Sequence, residues 1–333
     1  MSAKNHRVLK RCGIAIGVAL GIALVAVLGL NLYIRIAFAP FFEAAEPQFE
    51  IPGITTGFVP QDLDHVEADD SWLFSGYMAD GSPSPLYRRT ADGTMRTLYV
   101  TTPEGNPYDD HGSAITTNEQ YAYLACEDGY LVIPMDDLVF AEDGAHLQAT
   151  EMVPLDFSPA FMNIEEGQLF AGNFYYPGDY ETPDNHHIVT PDGTENPAVM
   201  YAFPTDPEVP GRFSTVPDEV FSIPGMVQGT CLSAEGDIVL STSFGIAPSH
   251  LLAYSVNLAA PDSVFTTSAG DEVPLFCLDS RNQVGDLEGP PMQEGIESHD
   301  GRIFTSDESA SNKYLFGKLC GAGQVYAVDL PTD

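Results

Sequence analysis

The side chains of this 333-residue chain that could do chemistry together are Gln61, His111, Gln228 and Glu294, each at the start of a short apolar strand pattern. Asn173, Ser243 and Glu308 join them, each just beyond the end of another such pattern. Carboxylate, amide and hydroxyl oxygens with one imidazole suit Ca²⁺, Mg²⁺ or Mn²⁺ better than a thiol-seeking metal. Glu294, Gln228, Gln61 and His111 are therefore the expected ligands of one divalent cation. Gln61, Asn173, Gln228, Ser243 and Glu308 are the expected contacts to a small polar ligand. In the enzymatic version the cation polarises an ester or lactone carbonyl and activates water, while Glu294 and His111 act catalytically, as ligands or proton shuttles. The plain alternative is a wet, polar channel mouth.

Other constellations are poorer. His186-His187 lies in an insertion with Tyr175, Tyr176, Asp179 and Tyr180. Adjacent imidazoles rarely ligate one metal, so a solvated or lid loop is expected, with aromatics able to stack on a sugar. Asp62 with Glu294 could supply the carboxylate pair of a glycosidase. No Gly-x-Ser-x-Gly elbow, phosphate loop or EF-hand loop is present.

The elements that must position these residues repeat five times. The repeats open at Gln61-Asp-Leu-Asp-His-Val, His111-Gly-Ser-Ala-Ile-Thr, Phe161-Met-Asn-Ile, Gln228-Gly-Thr-Cys-Leu-Ser and Glu294-Gly-Ile-Glu-Ser. An apolar strand follows each across a tight turn: Ala68-Asp69-Asp70, Asn118-Glu119-Gln120, Glu166-Gly167, Glu235-Gly236 or Asp300-Gly301. Third strands are expected around Leu86, Leu131, Met200, Leu251 and Val325. Fourth strands are expected over residues 95–100, 219–223 and 273–277. Four-stranded units without helical periodicity between them specify an all-β fold, a five-bladed β-propeller. A sixth blade within residues 257–293 is the cramped alternative. The last repeat stops after three strands, and Phe49-Glu-Ile-Pro-Gly53 parallels Phe221-Ser-Ile-Pro-Gly225. Residues 49–52 are thus expected to complete the final blade and leave no free edge. In this frame strand starts and second-strand ends share one face, which brings Asp307 and Glu308 to the channel mouth and puts Phe161 in the third blade's ring position.

Glu294-Gly295, within Glu-Gly-Ile-Glu-Ser-His-Asp-Gly-Arg-Ile-Phe, and Gln228-Gly229 resemble blade openings of the SMP-30, gluconolactonase and paraoxonase superfamily. The resemblance implies a propeller in which the Glu before Gly holds a catalytic divalent metal, joined by an amide residue before Gly. It spans two blade openings. The family's Pro-Asn-Gly is absent, Gln stands for Asn, and the Glu lies in the last blade rather than the first.

Residues 12–36 are long and apolar enough to span a bilayer. Lys4, Arg7, Lys10 and Arg11 precede them and no acid occurs before Glu43, so residues 1–11 are expected in the cytoplasm. Residues 37–48 are expected to be a linker and 49–333 the extracytoplasmic propeller of a single-pass plasma-membrane protein. Ala37-Phe38-Ala39 offers the competing reading of a cleaved signal, against which stand the length of the apolar run and Pro40. Gly13, Gly17 and Gly21 form a candidate helix-dimer face. Net charge is −35, and all 48 acids lie beyond the apolar run. That excludes nucleic acid as a natural partner. A small polar molecule or a glycan remains the expected ligand, and a non-catalytic envelope module binding a glycan or protein is the alternative function. No Cys-x-x-Cys occurs, which argues against a zinc site or redox motif. Cys277 and Cys320 are a candidate bridge, with free buried thiols as the alternative.

Overall fold

A computed structural model describes the backbone of residues 3–331. Five blades stand around one axis, each built on four antiparallel strands from inner to outer; His146–Gln148 adds a parallel fifth strand to blade 1. The inner strands are Phe58–Val66, Ile115–Thr117, Phe161–Glu165, Val227–Leu232 and Gln293–His299, and neighbours touch all the way round the ring. The turns explain the tight hairpins. Glu166-Gly167 and Asp300-Gly301 both have φ > 0 at their two central positions, the twist-matched geometry for a two-residue connection.

The last blade closes on the other end of the chain. Ala45–Glu50 pairs antiparallel with Gln324–Val328, so the outer strand of blade 5 precedes blade 1 in sequence. It begins four residues earlier than residue 49, and the stretch expected as a linker is structured. The long helix Ala3–Ala37 leads into a short one, Ala39–Ala44. Ile34, Phe38 and Phe41 are buried with Leu251, Leu287 and Tyr326 of blades 4 and 5. Asn31 Nδ2 donates to Val27 O at 3.0 Å and to Leu319 O at 2.5 Å. Between Cys12 and Ala37 the helix is long and apolar enough to cross a membrane, and an 18-residue apolar window within it has no buried residue, whereas Ile34 near its end packs on the propeller.

Two expectations fail on strand partners. The fourth strand of blade 4 is Gln283–Gly289 rather than residues 273–277. Glu272–Cys277 instead pairs parallel with Glu219–Ile223 and antiparallel with Ser263–Thr266, extending blade 3 to six strands. Residues 257–293 therefore hold no sixth blade. The excursion covers an outer edge that would otherwise present unpaired backbone groups, and Phe276 stacks on Phe221 at 5.5 Å between ring centroids. Cys277, placed on blade 3 by this pairing, is a free buried thiol and does not bridge to blade 5; the side chain of Cys320 lies outside the described residues.

The inner strands approach closely. A Cβ on Gly295 would lie 1.7 Å from Asp62 Oδ1, and one on Gly229 would lie 2.8 Å from Ile296 N. The Gly after Glu294 and after Gln228 is thus required by packing around the axis, whatever its neighbours do.

Phe41→Ala, at a fully buried ring, is expected to cost about 3–5 kcal/mol, and deleting residues 45–50 is expected to expose the edge of blade 5 and cause aggregation or a large fall in melting temperature. Thermal unfolding checks both; an unchanged midpoint in either would mean that this segment does not close the ring.

Candidate functional site

Connections between second and third strands, and from blade to blade, leave on the face opposite the hairpin turns. They enclose a cavity of ≈ 950 Å³ over the axis. Blade 1 supplies Gln61 and Tyr77, and blade 2 supplies His111. Asn173 comes from blade 3, Gln228 and Ser243 from blade 4, and Glu294 and Glu308 from blade 5. All seven residues singled out in the sequence line this one space. Phe161 does not, because its ring lies over Gly172 in the interblade core. Asp307 turns the other way, into a groove with Ile34 and Phe42.

His111 Nε2 is 2.6 Å from Gln61 Oε1, an acceptor only, so the pairing assigns the proton to Nε2. Burial lowers the His111 pKa and favours the neutral ring. Tyr77 stacks on it at 4.4 Å. The Tyr77 hydroxyl donates to Glu308 Oε1 at 3.1 Å and the Tyr314 hydroxyl donates to the same atom at 2.8 Å. Lys313 Nζ lies 4.7 Å from the centre of the Tyr77 ring and bonds its hydroxyl. Gln61 and His111 are thus engaged with each other, which leaves one imidazole lone pair and alters their expected part as metal ligands.

Glu294 is the contrast. It is 3% exposed, and no donor among the described residues reaches its carboxylate. Burial raises its pKa well above the usual range, and Glu308, Asp62 and Asp307 push the same way. Asn173 Oδ1 and the Oγ of Ser243, a residue 2% exposed, are buried beside the cavity without partners. Aromatic rings form one wall: Phe244 lies 3.9 Å from Tyr176 and 5.9 Å from Phe174, and Phe174 meets Tyr180 edge-on at 5.3 Å.

The other constellations resolve differently. His186 is buried and bonds the Tyr201 hydroxyl at 3.1 Å, with its pKa lowered to about 4 by burial, whereas His187 pairs with Glu195 at 3.0 Å. The two imidazoles diverge, and His186 anchors the insertion instead of being solvated. Asp62 does not face the cavity with Glu294. Its oxygens accept from Leu63 N and Ile115 N, both at 2.9 Å, which ties blade 1 to blade 2. Sequence reasoning missed the groups around the axis beneath it. Asp64 accepts from Thr117 Oγ1 at 2.5 Å, Glu165 from Leu232 N at 2.8 Å, and Glu297 from Asn163 Nδ2 at 3.0 Å. The available signal was period 2: Asp62 and Asp64 are acids on alternate positions of an otherwise apolar inner strand.

No protein-family model matches the chain. No curated protein sequence matches it either. Solved structures resemble it at low identity. A glutaminyl cyclase from Myxococcus xanthus is 13% identical over 87% of this chain and 97% of its own (TM-score 0.42). A PQQ-bound aldose sugar dehydrogenase from Streptomyces coelicolor is 11% identical over 86% and 98% (TM-score 0.43). A calcium-binding protein, regucalcin, from Agrobacterium tumefaciens is 11% identical over 87% of this chain and 94% of its own (TM-score 0.39). Likeness at this level carries no argument about this chain, and the strand order alone defines its fold. The chain is a five-bladed propeller with one N-terminal apolar helix.

The axial acids have a pH consequence. Burial raises Glu165 to about 7 and Asp64 to about 8. Raised folded pKa values give stability that is complete below the unfolded values near 4 and is lost as pH rises through 7–8. Melting temperature is expected to fall between pH 5 and pH 8.5, and Glu165→Gln is expected to flatten that slope. A melting temperature that instead rises with pH, or an unchanged slope in the variant, contradicts the assignment.

Proposed function

We propose that the cavity binds a small polar ligand around one divalent cation, and that ester or lactone hydrolysis is the reaction carried out there. The observation that carries this reading is Glu294: a buried carboxylate with no donor among the described residues, lining the same cavity as the unpartnered Asn173 Oδ1 and Ser243 Oγ. Acceptors buried without donors cost free energy unless a proton or a cation satisfies them. An all-oxygen set fits Ca²⁺, Mg²⁺ or Mn²⁺. Glu294, Asn173, Ser243 and Gln228 would hold the ion, with Gln61 and His111 beside it. A bound cation of this kind supplies a Lewis acid for a carbonyl oxygen and lowers the pKa of a water.

The chain's own groups provide the rest. His111, neutral and with its Nε2 proton fixed by Gln61, keeps one lone pair to accept a proton. Lys313 is the only lysine or arginine lining the cavity among the described residues, and it would attract the carboxylate that ester or lactone opening creates. Tyr77 and Tyr314 both donate to Glu308, and Lys313 also attracts that acid. The aromatic wall of Phe174, Tyr180 and Phe244 favours a second reading, a non-catalytic module that stacks a sugar ring.

The same proposal places the cavity outside the cytoplasm, tethered by residues 12–36 to the plasma membrane, with Gly13, Gly17 and Gly21 free to pack on a second helix. Cleavage after Ala39 would remove Ile34 and Phe38, both buried in the propeller. Mass spectrometry of the mature protein is expected to find residues 1–36 retained; an N-terminus at Pro40 would contradict the anchor.

Ca²⁺ or Mn²⁺ is expected to raise the melting temperature of wild type, by the equivalent of about 2.7 kcal/mol at 100 times Kd. Glu294→Gln is expected to lose that shift, and any lactonase activity, while staying folded. Glu235→Gln, in an exposed turn on the opposite face, should behave as wild type. Equal shifts in all three proteins would leave only diffuse screening by the acidic surface, and the sugar-stacking reading would take over.

A further inference from the structure

On the face opposite the cavity, where the first blade meets the last, two histidines converge. His65 is the penultimate residue of the inner strand of blade 1, and His299 is the last residue of that of blade 5. Their rings are 3.8 Å apart between centroids. Asp70, in the following turn of blade 1, reaches His65 Nε2 at 2.9 Å. One ligand atom from each of His65, Asp70 and His299 falls within 4.8 Å of the other two.

We propose that His65, Asp70 and His299 bind one borderline divalent ion of the Zn²⁺ class, which cross-links the first and last blades. Two imidazoles and a carboxylate are the donor set that such ions prefer, and it differs from the all-oxygen set at the cavity. Bond lengths of about 2.0–2.1 Å put the ligand atoms of a tetrahedral ion about 3.3 Å apart, so only small side-chain rotations are needed. The freedom for them exists. The side chain of Asp70 is 74% exposed and that of His299 25%, whereas His65 at 7% is held in place. Water would complete the coordination.

Two further features favour an ion here. Asp300 Oδ2 is 3.5 Å from His299 Nε2, and Glu67 also bears on that ring, so the surroundings are negative. Asp70 and Asp300 both adopt positive φ, 55° and 51°, which folds each hairpin turn back beside the histidine of its own strand. No cysteine takes part, so the absence of Cys-x-x-Cys does not bear on this site.

The chain's single tryptophan reports on it. Trp72 lies 5.1 Å from the His65 ring and 5.5 Å from the His299 ring, and stacks on Phe304 at 4.5 Å. The test is a Ni²⁺ titration of the chelator-stripped full-length protein in detergent micelles, followed by Trp72 emission. Saturable quenching at one equivalent is expected, reversed by Zn²⁺ and untouched by Ca²⁺. His299→Gln should weaken Ni²⁺ by more than about tenfold, since even residues behind the ligands change affinity that much. Asp70→Asn should do the same and stay folded, because the site is exposed and Asn tolerates positive φ. Glu294→Gln should titrate as wild type, which separates this site from the cavity. Emission insensitive to Ni²⁺, or quenching as strong in Asp70→Asn as in wild type, overturns the proposal.

Discussion

Five inner strands meet around one axis with so little room that the backbone of Gly295 lies against the carboxylate of Asp62. That crowding governs the placement of side chains above and below it. The residues just before the crowded glycines, Gln228 and Glu294, are carried to the lip of the ring and into the cavity. Further along the inner strands the axis is filled by side chains of which several are acids satisfied by donors from another blade: Asp62 by Ile115, Glu165 by Leu232, Glu297 by Asn163. The first two bonds span the joints between blades 1 and 2 and between blades 3 and 4, and the third crosses the axis from blade 3 to blade 5, so the polar axis stitches the ring together. Glu294 stands at the top of the column with no donor among the described residues, and the proposed ligand site rests on this difference.

Much of this was legible in the sequence because it is local. Turn chemistry such as Asp300-Gly301 fixed the hairpins, and counting strands from those turns assigned Gln61, His111, Asn173, Gln228, Ser243, Glu294 and Glu308 to one face. What failed depends on partners distant in sequence. Residues 273–277 read as a strand and are one, but their partner is the edge of blade 3, which strand pattern alone cannot choose. Phe161 and Asp307 occupy the expected positions, yet their side chains turn to apolar neighbours, a matter of rotamer and packing. His65 and His299 are more than two hundred residues apart, and only closure of the ring brings them together.

The chain's net charge of −35 bears on both proposed ion sites. A dispersed acidic surface raises the local concentration of any cation but selects none. Selection needs a fixed donor set: oxygen at Glu294, imidazole with carboxylate at His65 and His299. The N-terminal helix adds a second constraint, because Ile34, Phe38 and Phe41 complete the core between blades 4 and 5. Tether and propeller share buried surface, so the position of the cavity relative to the helix is set by packing and not by a free linker.

Glu294 is either a cation ligand or merely a protonated core acid. Anomalous diffraction from crystals of the full-length protein grown with Mn²⁺ distinguishes the two. A ligand role predicts one peak in the cavity, bonded to Glu294 and to at least one of Asn173, Ser243 and Gln228. An ordered Glu294 side chain with no peak beside it, at Mn²⁺ concentrations that populate sites elsewhere on the surface, would contradict it.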